Sequence, residues 1–286
     1  MTNFIVPIDF SEDSLKGLEW AILFSQKKTI TIRMVYVLTN SSKFHTSMME
    51  QEQNFAESQF KKMIEDYEPR LGHQSKLKYI IKKGKVYKEI VNQVNAHNNA
   101  VVSSSTHGAS GFEELFIGSN ALKIMAATDQ PVFTLRATIP SDIKKIVVPI
   151  KRDADTRQKT LIAADLAELF GAELHVVSIT SLTGEQDLSR LGSFSNQVVN
   201  YFKARKLKTV TKTLVGDHLP NLTCNYAEAV DADLIIIMAS PVAKLNVLLG
   251  SYEQQMVSTA NVPLLSITPK ENQMPAGFNT FEGDKS

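Results

Sequence analysis

Cysteine is almost missing from this chain: Cys224 stands alone among 286 residues, so no intramolecular disulfide can form and no cysteine-clustered zinc site can be built. Such sparing use suits a reducing compartment and leaves redox chemistry little to work with. Net charge is nearly absent as well. The 31 Lys and Arg side chains against 30 Asp and Glu side chains leave +1 at neutral pH, showing neither a surface for polyanions nor an acidic tail. Nucleic acid is therefore not an expected partner. No apolar run nears the ~20 residues of a membrane-spanning helix, and the opening MTNFIVPIDF lacks the basic flank and apolar core of an export leader. A soluble, cytoplasmic protein without a membrane partner is expected, in which the sequons at Asn40 and Asn221 are chance matches. Three enzyme signatures are also missing: GxxxxGK[ST], GxGxxG after a strand, and GxSxG. Their absence argues against a P-loop ATPase, a dinucleotide oxidoreductase and a nucleophile-elbow hydrolase, and no catalytic machinery is expected.

What the chain does contain is itself, twice. Its length is about double the usual ~100–150 residues of a domain. FIVPID at 4–9 matches IVVPIK at 146–151 with an offset of 142. Later pairs agree on an offset of 132: Gly84 with Gly216, IGSN at 117–120 with LGSY at 249–252, and QPVFTL at 130–135 with VPLLSI at 262–267. The ten extra residues of the first copy must lie between Asp9 and Gly84, and NSSKFHTSMMEQEQNF within 39–70 is the segment that lengthens it. ATIPSD at 137–142, with a proline in a short polar stretch, reads as the linker. The expected division is a first domain over 1–138, a second over 141–269, and a mobile C-terminal tail over 270–286 that lacks apolar periodicity.

Each copy alternates β-rich runs with helical patterns. Strands are expected near 4–8, 30–37, 77–82, 100–105 and 131–136, and again near 145–150, 173–180, 208–215, 233–239 and 263–268. Helical periodicity falls near 12–26, 46–67, 86–97 and 118–127, and in the second copy one helix should stop at Gly171. Such alternation predicts an α/β fold whose parallel sheet is covered on both faces and joined by right-handed crossovers.

In an open parallel sheet, ligands sit beyond the carboxyl ends of the strands, where the strand order reverses. Asp9 lies just past the first strand and the loop SSTHGASGFEELFIGSN, residues 104–120, just past the fourth. A carboxylate there can accept hydrogen bonds from a ribose or an adenine amine, and glycine backbones let amides approach phosphate. A helix opening at Gly118, Ser119 and Asn120 adds free N–H groups, a positive dipole end and a hydroxyl. The plainer alternative is that Gly108 and Gly111 only shape a turn and Ser119 is an N-cap. His107 has no second His or thiol beside it to complete a metal or catalytic set, so it reads as loop structure. Glu113 and Glu114 are sequence neighbours that point apart on a helix, which suits a solvated face. Lys82, Lys83 and Lys85 cluster at the end of the third strand, either steering phosphate or simply solvated.

IVPIDFSEDS at 5–14, STHGASGFEELFIGSN at 105–120 and QPVFTLR at 130–136 together resemble the universal stress protein family, and the doubling resembles its tandem members over residues 3–268. Family members that bind ATP carry Gly-x2-Gly-x9-Gly followed by Ser or Thr. Here the pattern becomes Ser105-x2-Gly108-x9-Gly118-Ser119, with Ser105 in place of the first glycine. The resemblance implies two Rossmann-like domains of the adenine nucleotide alpha hydrolase-like kind, each a five-stranded parallel sheet of order 3-2-1-4-5. It implies an adenine nucleotide, ATP with or without Mg2+, as ligand. Asp9 would address adenine or ribose, Val37 the base, and Gly108, Gly118, Ser119 and Asn120 the phosphates, with Pro7 and Ser105 among the cofactor-binding residues. It further implies that the fifth strands, PVFTLR and PLLSIT, pair about a two-fold axis, as an intramolecular pseudo-dimer or in a homodimer of such chains.

The second copy departs from this pattern. Lys151 stands where Asp9 stands, and ASPVAKLNVLLGSY at 239–252 keeps Gly250 and Ser251 but neither earlier glycine. Pro241 removes a backbone donor. A degenerate second site is expected, with Lys151 a solvated lysine at a strand end rather than a point charge for phosphate. The function expected is a non-catalytic, ATP-responsive regulatory or protective module of the stress response. The alternatives are a nucleotide-independent interaction scaffold, in which Ser105 abolishes binding, and a slow ATP hydrolase.

Overall fold

The computed structural model describes residues 1–39, 46–72, 74–106, 119–239, 252–270 and 278. The chain forms two compact units, Met1–Ile139 and Pro140–Ser286.

In the first unit, apolar runs make five strands: β1 (Asn3–Pro7), β2 (Thr31–Leu38), β3 (Lys76–Lys83), β4 (Ala100–Ser105) and β5 (Val132–Leu135). All neighbours are parallel, in the order β3-β2-β1-β4-β5. Phe4, Ile5 and Val6 are wholly buried, as a central strand covered on both faces requires. The crossovers are α1 (Glu12–Ser25), α2 (Thr46–Tyr67) and α3 (Val86–Asn95), with α4 (Ser119–Ala127) before β5. Helix α1 starts where its sequence says it should: the Ser11 hydroxyl accepts from the Ser14 N–H, and Glu12 and Asp13 face the positive end of the dipole. Beneath α1 lies an aromatic cluster of Phe4, Trp20, Phe24 and Phe133, all fully buried, with Trp20 and Phe133 edge-to-face at 5.3 Å.

The second unit repeats the plan with β6 (Lys145–Ile150), β7 (Glu173–Thr180), β8 (Thr209–Val215), β9 (Leu234–Met238) and β10 (Leu264–Ile267), in the order β8-β7-β6-β9-β10. Its helices are α5 (Thr160–Phe170), α6 (Glu185–Ala204), α7 (Leu219–Ala229) and α8 (Tyr252–Thr259). The expected order, first-to-fifth strand 3-2-1-4-5, thus appears in both units. Helix α5 ends as expected: Gly171 takes the left-handed conformation at φ +70° and its N–H returns to the Ala167 carbonyl. The matched glycines do matched work, since the Gly84 N–H donates to Leu38 O and the Gly216 N–H to Thr180 O, both at 3.0 Å. Leu38 pairs in register with Lys83 and Thr180 with Val215, so the ten extra residues of the first copy lie in the crossover from β2 to β3.

One departure follows the first strand of each unit. Helix α1 begins three residues after Asp9, whereas the chain after Lys151 first makes a tight 3-10 turn at Ala154–Arg157 and α5 begins only at Thr160. Beyond β10, Lys270 exchanges two hydrogen bonds with the Gln158 side chain, at 2.9 and 3.0 Å. Phe278 sets its ring edge-on to Tyr201 at 6.0 Å. The rest of 271–286 lies outside the described residues.

Candidate functional site

The strand order of the first unit reverses at β1, which has β2 on one side and β4 on the other. Pro7 closes β1 in register with Val35, and the chain stays with the sheet for one more residue as Ile8 donates to Val35 O at 2.9 Å. Asp9 then emerges into solvent. Its Oδ1 accepts from both the Ser11 N–H at 3.1 Å and the Ser11 hydroxyl at 2.5 Å, so the residue that caps α1 also orients the carboxylate. Between them Phe10 is held at φ +64°, left-handed backbone that a bulky residue adopts only when its surroundings dictate it. Those surroundings are rings: Phe10 packs 5.0 Å from Tyr36, 5.1 Å from Phe60 and 5.8 Å from Phe55. The carboxylate therefore sits on a turn fixed by a hydrogen bond on one flank and an aromatic cluster on the other.

Val37, near the end of β2, is 8% exposed and offers a small apolar wall. Next to it, Tyr36 donates to Glu52 Oε1 at 2.9 Å. Burial, then the Glu52 hydrogen bond and charge, then the charge of Asp9 push the Tyr36 phenol up to about 12. Ser105 ends β4, half-buried, in register with Leu135. Because β4 and β5 run parallel, the helix that connects them must start at the carboxyl edge of the sheet, so Ser119 and the exposed Asn120 open α4 on that edge. Pro7, Asp9, Val37, Ser105, Ser119 and Asn120 are thus gathered on one edge of one sheet. Gly108 and Gly118 lie outside the described residues, as do Gly111, His107, Glu113 and Glu114. Lys82 and Lys83 end β3 and Lys85 caps α3, two strands away from β1. The Lys83 amine donates to the Met49 sulfur at 3.4 Å.

The corresponding edge of the second unit has the opposite chemistry. The Lys151 amine lies 3.2 Å from Asp153 Oδ2, 3.3 Å from Glu253 Oε1 and 4.7 Å from the centre of the Tyr252 ring. This corrects the expectation of a solvated lysine: the side chain is 23% exposed and held by a nearly buried carboxylate. Thr156 joins the group, its hydroxyl accepting from the Lys151 N–H at 3.1 Å and from the Lys159 amine at 3.0 Å. Lys159 is buried, and its burial pushes the amine well below the ordinary lysine range, with the Lys151 charge acting in the same direction. Tyr252 meets the Thr223 hydroxyl at 3.1 Å. Pro241, Gly250 and Ser251 lie outside the described residues.

Sequence reasoning found Asp9 and Lys151 but not Glu253 or Lys159. The signal was present in the repeat: the offset of 132 sets Tyr252 and Glu253 against Asn120 and Ala121, and that of 142 sets Lys159 against Gly17. Among the described residues, no group of three or more His, Cys, Asp or Glu side chains is placed to hold a metal ion. Among them, too, no helix is long and apolar enough to cross a membrane.

Comparison with known proteins agrees with this doubled architecture. Residues 1–136 and 142–267 each match the model of the Universal stress protein family. No curated protein matches the chain. Among solved structures, a universal stress protein from Archaeoglobus fulgidus superposes with a TM-score of 0.78 at 16% identity, over 94% of this chain and 97% of that one. A candidate universal stress protein from Pseudomonas aeruginosa gives 0.63 at 14% identity, over 94% of each chain. At these identities the likeness is one of fold.

Proposed function

The chain belongs to the universal stress protein family, two copies in tandem, and from that premise we propose that it is a cytoplasmic, non-catalytic module of the stress response that binds one adenine nucleotide, ATP with or without Mg2+, in its first unit. The observation that carries this reading is the Asp9 carboxylate, held by Ser11 and by the strained Phe10 turn at the point where the strand order reverses. An exposed carboxylate is an acceptor, the kind of group to which a ribose hydroxyl or an adenine amine donates. Val37 supplies an apolar wall for the base. Ser105 and the first turn of α4, with Asn120, face the place of the phosphates, where backbone N–H groups and the helix dipole favour negative charge. Bound Mg2+ would neutralise phosphate charge.

Among the described residues of this edge no activated nucleophile or paired acid and base stands beside Asp9, and on this reading the nucleotide acts as a ligand that biases conformation rather than as a substrate. Nucleotide content of the purified full chain, calorimetric titration with ATP and Mg2+, and phosphate release together test the reading. Stoichiometric binding without turnover supports it. An absence of binding would point to the interaction scaffold, and steady phosphate release to an ATP hydrolase.

A further inference from the structure

Lys151, just past β6, and Glu253, in the first turn of α8, lie 102 residues apart in the chain and meet at 3.3 Å. Glu253 is 6% exposed. A carboxylate does not enter such a position cheaply unless cationic and N–H partners receive it. Here it receives the Lys151 ammonium group, and it stands in the first turn of α8, where the helix dipole favours negative charge; a small oxyanion requires the same surroundings. The repeat explains its place. Where the first unit has Asp9 and Ala121, the second has Lys151 and Glu253, so both charges change together: the strand end becomes cationic and the helix start acquires its own anion. Lys159 adds a buried amine, which donates to the Thr156 hydroxyl that also accepts from the Lys151 N–H. Thr156 thereby ties a second amine to the backbone of the residue that makes the pair.

We propose that Glu253 is a built-in anion: the second unit keeps an oxyanion site formed by Lys151, Lys159 and the first turn of α8, and its own carboxylate fills it. The class of ligand that this site would accept, were Glu253 removed, is a small carboxylate or a phosphate. The internal ion pair ties the end of β6 to α8, the connection that an exchangeable ligand would otherwise make. The proposal rests on the proposed function only in matching the two strand-end sites, and it is tested without nucleotide, so the two can fail separately.

The experiment uses the full chain with Glu253→Ala and follows thermal unfolding in acetate, in inorganic phosphate and in chloride at matched ionic strength. In chloride the variant should melt on the order of 5 °C below the parent, because a paired lysine has lost its buried partner. Acetate and phosphate should restore a good part of that loss in the variant while moving the parent little. Any phosphate that settles in the first unit raises both proteins alike and cancels in the comparison. Lys151→Met in the Glu253→Ala background should abolish the anion response. If Glu253→Ala is recovered unfolded, its refolding yield in acetate against chloride gives the same readout, and Glu253→Gln serves as the volume-preserving variant. Equal anion responses in parent and variant, or a response that survives Lys151→Met, would overturn the proposal.

Discussion

A Cβ built on Gly17 would lie 2.5 Å from the Ser103 carbonyl oxygen and 3.1 Å from Val6, so α1 rests directly on the backbone of β4. Gly17→Val should therefore cost about 1–3 kcal/mol of stability as α1 is forced from the sheet, read as a lower denaturation midpoint with an unchanged slope. The same place in the second unit is Lys159, where burial favours the neutral amine. With the folded pKa depressed, the unfolded chain binds a proton that the folded chain does not, across the window from the depressed value up to about 10.4. Lys159 thus withholds stability below that window, and stability climbs as pH rises through it. Lys159→Met should raise the midpoint at pH 7, with a gain over the parent that shrinks as pH approaches 10; a gain independent of pH would contradict the charge account. Asp9 was legible because its carboxylate follows an apolar strand in a repeated motif. Glu253 was not, since a glutamate in a first helical turn reads as ordinary capping until Lys151 is seen beside it.

Strands and helices were legible because period and punctuation agree, down to the Gly171 cap. The 3-10 turn at Ala154–Arg157 was not, because the Thr156 hydroxyl that accepts from the Lys151 N–H and from the Lys159 amine leaves no mark in the apolar period or in the glycines and prolines. The matched glycines offer a test of what each turn demands. Gly84 stands at φ +149°, a conformation that L residues rarely adopt, and an added Cβ would meet Glu89 Oε1 at 3.2 Å; at Gly216 it would meet Leu222 Cδ1 at the same 3.2 Å without a left-handed φ. Packing is alike, so backbone strain decides. Gly84→Ala should cost roughly 1 kcal/mol or more and Gly216→Ala clearly less, measured as separate denaturation midpoints; equal losses would assign the effect to packing.

The molecule as a whole joins two copies of one fold whose strand-end chemistry has been reversed in the second: an exposed carboxylate in one, a closed ion pair in the other. That difference, rather than the shared fold, sets the expected stoichiometry. ATP at about 100 times its Kd should stabilise the first unit by about 2.7 kcal/mol through mass action. Asp9→Ala should weaken binding roughly ten- to hundred-fold, the worth of a hydrogen bond to a charged group. The most direct test is calorimetric titration of the full chain with ATP and Mg2+. The account predicts a single transition at one nucleotide per chain, weakened by Asp9→Ala and untouched by Lys151→Met; two equivalents per chain, or one whose affinity follows Lys151 instead of Asp9, would contradict it.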